Sequence, residues 1–207
     1  MIKAIIFDMD GVLIEAKEWH YEALNKALRL FGIEISRYDH LTTFDGLPTK
    51  EKLKMLSLDK GLPVALHSFI AEMKQQYTME IVYSACKPRF TQEFALSKLK
   101  NDGYKMAVCS NSIRHTIEVM MQRAALSPYL EFYISNEDVS KSKPDPQMYE
   151  IAIKKLELTP KECLIIEDNE NGIKAAKASG ANVMEVQSVY DVNYENICKH
   201  IEKYTQG

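Results

Sequence analysis

Hydrophobic positions along this chain fall into two alternating rhythms. Short apolar runs occur at Ile2 to Phe7, Lys105 to Cys109, Phe132 to Ile134, Cys163 to Ile166 and Val183 to Val186. Runs of this length, bounded by polar residues, read as buried strands. Helical periodicity fills the spaces between them. Ile113, Ile117, Met120, Met121 and Ala124 share one face. Pro146 is placed as a first-turn proline ahead of Met148, Ile151, Ala152 and Leu156, and Ile173, Ala176 and Ala178 precede a helix stop at Gly180. The alternation predicts βα units around a parallel sheet, an α/β fold with a Rossmann-like core.

The first two runs stand nearly a hundred residues apart, whereas a crossover between parallel strands needs only about a dozen. The extra length carries helical patterns of its own. Trp19, Ala23, Leu24, Ala27, Leu28 and Phe31 share a face, which predicts a helix over Lys17 to Phe31, and further patterns lie around Lys50 to Leu58 and Pro63 to Tyr77. A small inserted helical domain over residues 15–85 is therefore expected, with residues 1–14 and 86–207 forming the core.

Composition narrows the classes. The chain has 207 residues, is 46% hydrophobic and 27% charged, and carries a formal charge of -3 with both signs interspersed. No basic footprint for nucleic acid is present, and no apolar stretch approaches the roughly 20 residues of a membrane span. The first run begins at the amino-terminal end without a basic leader or cleavage-site pattern, so a cytoplasmic protein is expected, and a monomer. Cys86, Cys109, Cys163 and Cys198 lie far apart, with no pairing or zinc spacing. The expected partner is a small molecule.

In open parallel sheets, ligands bind beyond the carboxyl ends of the strands. The first run is followed by Asp8-Met9-Asp10-Gly11 and the second by Ser110-Asn111-Ser112; Ser142-Lys143-Pro144 comes after the third, and the fourth ends in Glu167-Asp168-Asn169. Singly, each cluster has an ordinary reading as a turn or helix cap. Together they gather carboxylates, a hydroxyl and a lysine at one end of one sheet, which is what phosphoryl transfer requires. Clustered carboxylates need a cation, and a hard oxygen site of this size suits Mg²⁺. One carboxylate then attacks phosphorus, a second moves protons, and the hydroxyl and lysine clamp the transferring group.

The four segments "FDMDGV", "VCSNS", "SKPDP" and "IIEDNENGIKAAKASG" resemble the ordered motifs of the haloacid dehalogenase superfamily. The resemblance lies in the subgroup that includes β-phosphoglucomutase and small sugar-phosphate phosphatases, and the insert resembles that family's helical cap. It implies that Asp8 is the nucleophile and Asp10 the acid and base whose main-chain carbonyl also binds Mg²⁺. It implies that Ser110 and Asn111 hold the phosphoryl oxygens and that Lys143 neutralises charge. Asp168 would be a metal ligand, and Glu167 a further ligand or an orienting group. His20 resembles a cap histidine that contacts the acid-base aspartate, and Gly46 a cap glycine that admits backbone close to the site.

The chain departs from the family pattern in three places. Thr49, followed by Lys50 and Lys52, stands where mutases carry an arginine for a second phosphate; the first hinge reads Glu15-Ala16; and Lys87-Pro88-Arg89 replaces a Pro-Gly pair. The expected function is hydrolysis of a small phosphate monoester, a sugar phosphate above all, through an aspartyl phosphate. A phosphomutase is the alternative, differing in whether water or a sugar hydroxyl accepts the phosphoryl group. From other classes, a non-catalytic binding protein is opposed by the intact set of polar residues. A sugar-nucleotide enzyme using D-x-D accounts for the first cluster alone.

Overall fold

A computed structural model describes residues 1–205. In chain order the elements are β1 (Ala4–Phe7), α1 (Lys17–Arg29), α2 (Arg37–Asp39) running into a π-helical turn (His40–Phe44), α3 (Thr49–Lys60) and α4 (His67–Ala85). They are followed by α5 (Phe90–Asn101), β2 (Lys105–Cys109), α6 (Arg114–Arg123), β3 (Phe132–Ile134) and α7 (Gln147–Lys155). β4 (Cys163–Glu167), α8 (Glu170–Ala178), β5 (Asn182–Glu185) and α9 (Tyr194–Thr205) complete the chain. Contacts divide it into two units, one of Met1–Glu15 with Lys87–Gly207 and one of Ala16–Cys86.

The first unit is a parallel five-stranded sheet in the order β3-β2-β1-β4-β5. Every residue of β1 is fully buried, as a central strand covered on both faces must be. Each large side chain there contributes about 1.5–3 kcal/mol relative to exposure. Register decides what lies at the strand mouths. Phe7 stands opposite Val108 on one side and Ile166 on the other, so β1, β2 and β4 end nearly level. The Asp8 N–H continues the ladder to the Ile166 carbonyl at 3.0 Å, and Ser110 N–H reaches Ile134 at 3.0 Å. Asp8, Ser110 and Glu167 are thereby delivered to one edge.

Helix phases differ in detail from the periodicity. On α7 the buried side chains are Met148, Tyr149, Ala152 and Ile153, with Ile151 only partly buried; on α8 Ala175 and Ala176 turn inward while Ala178 is exposed. Gly172 is buried on the same helix, close against the Glu167 carboxylate. α9 has no counterpart in the expected pattern; it buries Ile197 and Ile201 and packs on α5.

The second unit is all helical, with a core of Leu24, Ala27, Leu28, Ile35, Phe44, Leu53, Leu56, Leu62 and Ile70. α1 stops at Arg29, short of the expected end. Phe31 lies beyond it, 37% exposed and edge-on to Phe69 at 5.9 Å. The expected helix over Pro63 to Tyr77 divides into a 3-10 turn at Val64–Leu66 and α4, which runs on to Ala85 because Thr78, Met79 and Val82 continue its buried face. No helix of the described residues is long and apolar enough to cross a membrane.

Candidate active site

β1 ends at Phe7 and its chain folds back at once. Met9 is fully buried. Its carbonyl accepts the N–H groups of Leu13 and Ile14 at 3.0 and 2.9 Å, while Gly11 N–H reaches the Ile14 carbonyl at 2.7 Å. Gly11 has φ 93°, a backbone region that a side chain would strain. This tight loop leaves Asp8 at the strand mouth and Asp10 two residues on.

Lys143 organises the site. Its Nζ donates to Asp8 Oδ1 at 2.6 Å, to Glu167 Oε1 at 2.7 Å and to the Cys109 carbonyl at 2.8 Å, which accounts for all three ammonium protons. Asn111 holds the segment that carries this lysine. Its Nδ2 donates to the Lys143 carbonyl at 3.3 Å, and its Oδ1 accepts the Lys143 N–H at 3.2 Å. Asn136 Nδ2 in turn donates to the Asn111 carbonyl at 2.9 Å, and the Lys143–Pro144 peptide is cis. Ser110, 1% exposed, accepts the Ser112 N–H on its Oγ at 3.1 Å, and the Ser112 hydroxyl donates to Asp10 Oδ2 at 3.2 Å.

The electrostatic balance is negative. Asp8, Asp10, Glu167 and Asp168 act on one another, while Lys143 is the cation among them. Burial pushes the Asp8 carboxyl well above its usual range; Lys143 opposes this, and Glu167, Asp168 and Asp10 add to it. Burial lowers the affinity of Lys143 for its proton, but Asp8 and Glu167 more than offset it, so the ammonium is held above its ordinary value. Carboxylate oxygens of Asp8, Glu167 and Asp168 lie within 4.8 Å of one another. A cluster of hard anionic oxygens with this excess of negative charge fits a divalent cation such as Mg²⁺.

The α/β unit thus brings together Asp8, Asp10, Ser110, Asn111, Lys143, Glu167 and Asp168. His20 and Gly46 belong to the helical unit. There His20 Nδ1 is 3.1 Å from Lys74 Nζ, Gly46 occupies a turn with φ 71°, and Thr49 opens α3 with Lys52 buried behind it. Reading strand ends alone includes Ser112 in its cluster without giving it a role, and misses Tyr149 and Gly172. Tyr149, fully buried, donates its hydroxyl to Glu167 Oε1 at 2.5 Å. A phenol on the apolar face of a helix must find a polar partner, and that was the available signal.

Comparisons with known proteins agree with this architecture. The model of the haloacid dehalogenase-like hydrolases matches residues 5–186. A phosphorylated carbohydrates phosphatase of Thermotoga maritima is 26% identical over 194 residues, covering 92% of this chain and 85% of that protein. A phosphoglycolate phosphatase of Aquifex aeolicus is 27% identical, covering 86% and 82%. The crystal structure of β-phosphoglucomutase from Clostridium difficile superimposes over all of both chains with a TM-score of 0.87 at 23% identity, a likeness of fold. With an acidic, lysine-bridged site at the carboxyl ends of its central strands and a family match spanning most of its length, the chain belongs to the haloacid dehalogenase-like hydrolases.

Proposed function

We propose that this hydrolase is a phosphatase that cleaves a small phosphate monoester, of a sugar-like alcohol, through a phosphoaspartate on Asp8. The observation that carries the reading is the Lys143 ammonium shared between Asp8 and Glu167 in a buried acidic cluster. Relatives named as phosphatases of a phosphorylated carbohydrate and of phosphoglycolate support the substrate class. Asp8, Glu167, Asp168 and the main-chain carbonyl of Asp10 would hold Mg²⁺. Bound there, the ion would supply charge neutralisation for the phosphoryl oxygens.

The remaining chemistry belongs to the chain. An Asp8 carboxylate oxygen forms a bond to phosphorus as the bond from phosphorus to the alcohol oxygen breaks, and the Asp10 carboxyl delivers its proton to the departing alkoxide. Asp10, now ionised, takes a proton from water. The water oxygen attacks phosphorus, the Asp8 oxygen leaves, and inorganic phosphate is released. Ser112 steadies the Asp10 carboxyl through the bond to Oδ2. Lys143 balances charge on Asp8 as the phosphoryl group arrives. The Ser110 hydroxyl donates to a phosphoryl oxygen; the Asn111 contact is assigned to its main-chain N–H, since its carboxamide engages Lys143. Selection of the alcohol is assigned to the inserted helical unit as a cap, with His20 and Gly46 as its candidate residues.

A panel of phosphomonoesters incubated with Mg²⁺ tests the reading. Phosphate release from at least one ester, abolished in Asp8→Asn, is the expected result. No release from any ester, with Asp8→Asn indistinguishable from wild type, sinks it. Interconversion of a hexose 1-phosphate and 6-phosphate that needs a bisphosphate primer would replace hydrolysis by phosphomutase activity.

A further inference from the structure

Several independent contacts converge on a single carboxylate. Glu167, the last residue of β4, is 1% exposed. Its Oε1 accepts both the Lys143 ammonium and the Tyr149 hydroxyl, while its Oε2 accepts the Asp168 N–H at 3.2 Å. The ring of Tyr149 also meets Lys143, whose Nζ is 4.7 Å from its centroid. On another side α8 comes so near that a Cβ built at Gly172 would overlap the Glu167 carboxylate. None of the catalytic steps above calls for a phenol at this position. Phenylalanine would fill nearly the same volume without burying a hydroxyl, and a buried hydroxyl costs free energy unless its hydrogen bond compensates.

We infer that Tyr149 is a positioning residue: its hydroxyl pins Glu167 Oε1 beside Lys143, so that the ammonium stays divided between Glu167 and Asp8, within space that Gly172 leaves open. An acceptor oxygen engaged by two donors holds each less tightly than it would hold one. With the hydroxyl gone, Glu167 Oε1 draws Lys143 toward itself and away from Asp8, and the carboxylate is freer to rotate. The nucleophile then loses part of its counter-charge, and the acidic cluster loses its set geometry. This inference rests on the proposal that Asp8 is the nucleophile and that the cluster takes Mg²⁺.

The decisive comparison is wild type against Tyr149→Phe, which keeps the ring over Lys143, with Gly172→Ala as a second perturbation of the same carboxylate. Outer partners of this kind are worth about 10- to 100-fold in activity or metal affinity. In Tyr149→Phe, kcat on the best ester of the panel is expected to fall by about that factor while KM moves less than about threefold. Mg²⁺ affinity, read by calorimetry without substrate, is expected to weaken by about tenfold, with an undiminished melting temperature. Gly172→Ala is expected to weaken Mg²⁺ binding as well. Wild-type kcat together with wild-type Mg²⁺ affinity in Tyr149→Phe would overturn the inference, whether or not Gly172→Ala folds. A purely packing role would instead lower the melting temperature and leave kcat unchanged. Should no ester be turned over by wild type, the phosphatase reading fails, and the calorimetric comparison alone still decides the role of Tyr149.

Discussion

Lys143 Nζ serves two carboxylates and a carbonyl from a position where its side chain is 4% exposed. Buried ion pairs of this kind contribute little net stability, because desolvation offsets attraction, yet losing one partner strands the others. The lysine is therefore better explained by what it does for Asp8 than by what it does for the fold. His40 presents the opposite case in the helical unit. It is 2% exposed, neither ring nitrogen has a hydrogen-bond partner among the described residues, and the Tyr21 ring lies 4.9 Å away. Burial lowers its pKa from 6.5 to about 4, helped by Lys52, His20 and Arg37 and opposed by Asp45. A depressed folded-state value means that the unfolded chain takes up the proton first as pH falls. Stability is full above about pH 6.5, declines below it, and by about pH 5 is lower by on the order of 2 kcal/mol. His40→Leu, which cannot titrate, should show a shallower loss of melting temperature between pH 7 and 5 than wild type. Parallel curves would refute the assignment. At this scale Asp8, Asp10, Ser110, Lys143, Glu167 and Asp168 were legible because each lies just after, at the end of, or downstream of an apolar run. Tyr149 was not, since it reads as one more core residue until its hydroxyl is traced to Glu167.

Elements are held in register by polar clamps as well as by apolar faces. Asn25 on α1 is buried, and its carboxamide engages both backbone groups of Ile35, donating to the carbonyl and accepting the N–H at 2.9 Å each, while the Tyr21 hydroxyl donates to the same carbonyl at 3.3 Å. The segment after α1 is thus fastened as a strand partner would fasten it. Asn25→Ala would leave the buried Ile35 N–H unsatisfied, with its carbonyl keeping only the Tyr21 hydroxyl, and should destabilise the helical unit by about 1–3 kcal/mol. Urea unfolding followed by a probe within Ala16–Cys86 reads this directly; a change under about 0.5 kcal/mol, the range of ordinary surface substitutions, contradicts it. Helix existence was legible from period, but phase and extent were not. α8 rotates so that Gly172 faces Glu167, and α4 runs past Tyr77 because Thr78, Met79 and Val82 remain buried. Both depend on what lies opposite, which no local window contains.

Across the whole molecule the sheet concentrates negative charge at one edge although the chain carries only -3 overall. Such a site should be destabilising when empty of cation and stabilising when filled. Mg²⁺ at a hundred times its dissociation constant adds about 2.7 kcal/mol by linkage. Asp168→Asn should therefore raise the melting temperature without divalent metal, by relieving repulsion on Asp8, and flatten its rise with Mg²⁺. A Mg²⁺ response equal to that of wild type would exclude Asp168 from the cation site. The α/β alternation, the long insert after the first strand and the order of polar clusters were determined by the sequence, because strand burial and helix amphipathicity are local patterns. Only the tertiary structure decided that β1 lies between β2 and β4 with their ends level. That register joins Asp8, Lys143 and Glu167, residues more than a hundred positions apart at the extremes, into one hydrogen-bonded group. It also decided that Tyr149 and Gly172 bear on the same carboxylate, since contacts between helices and strand ends arise from packing distances that periodicity does not encode.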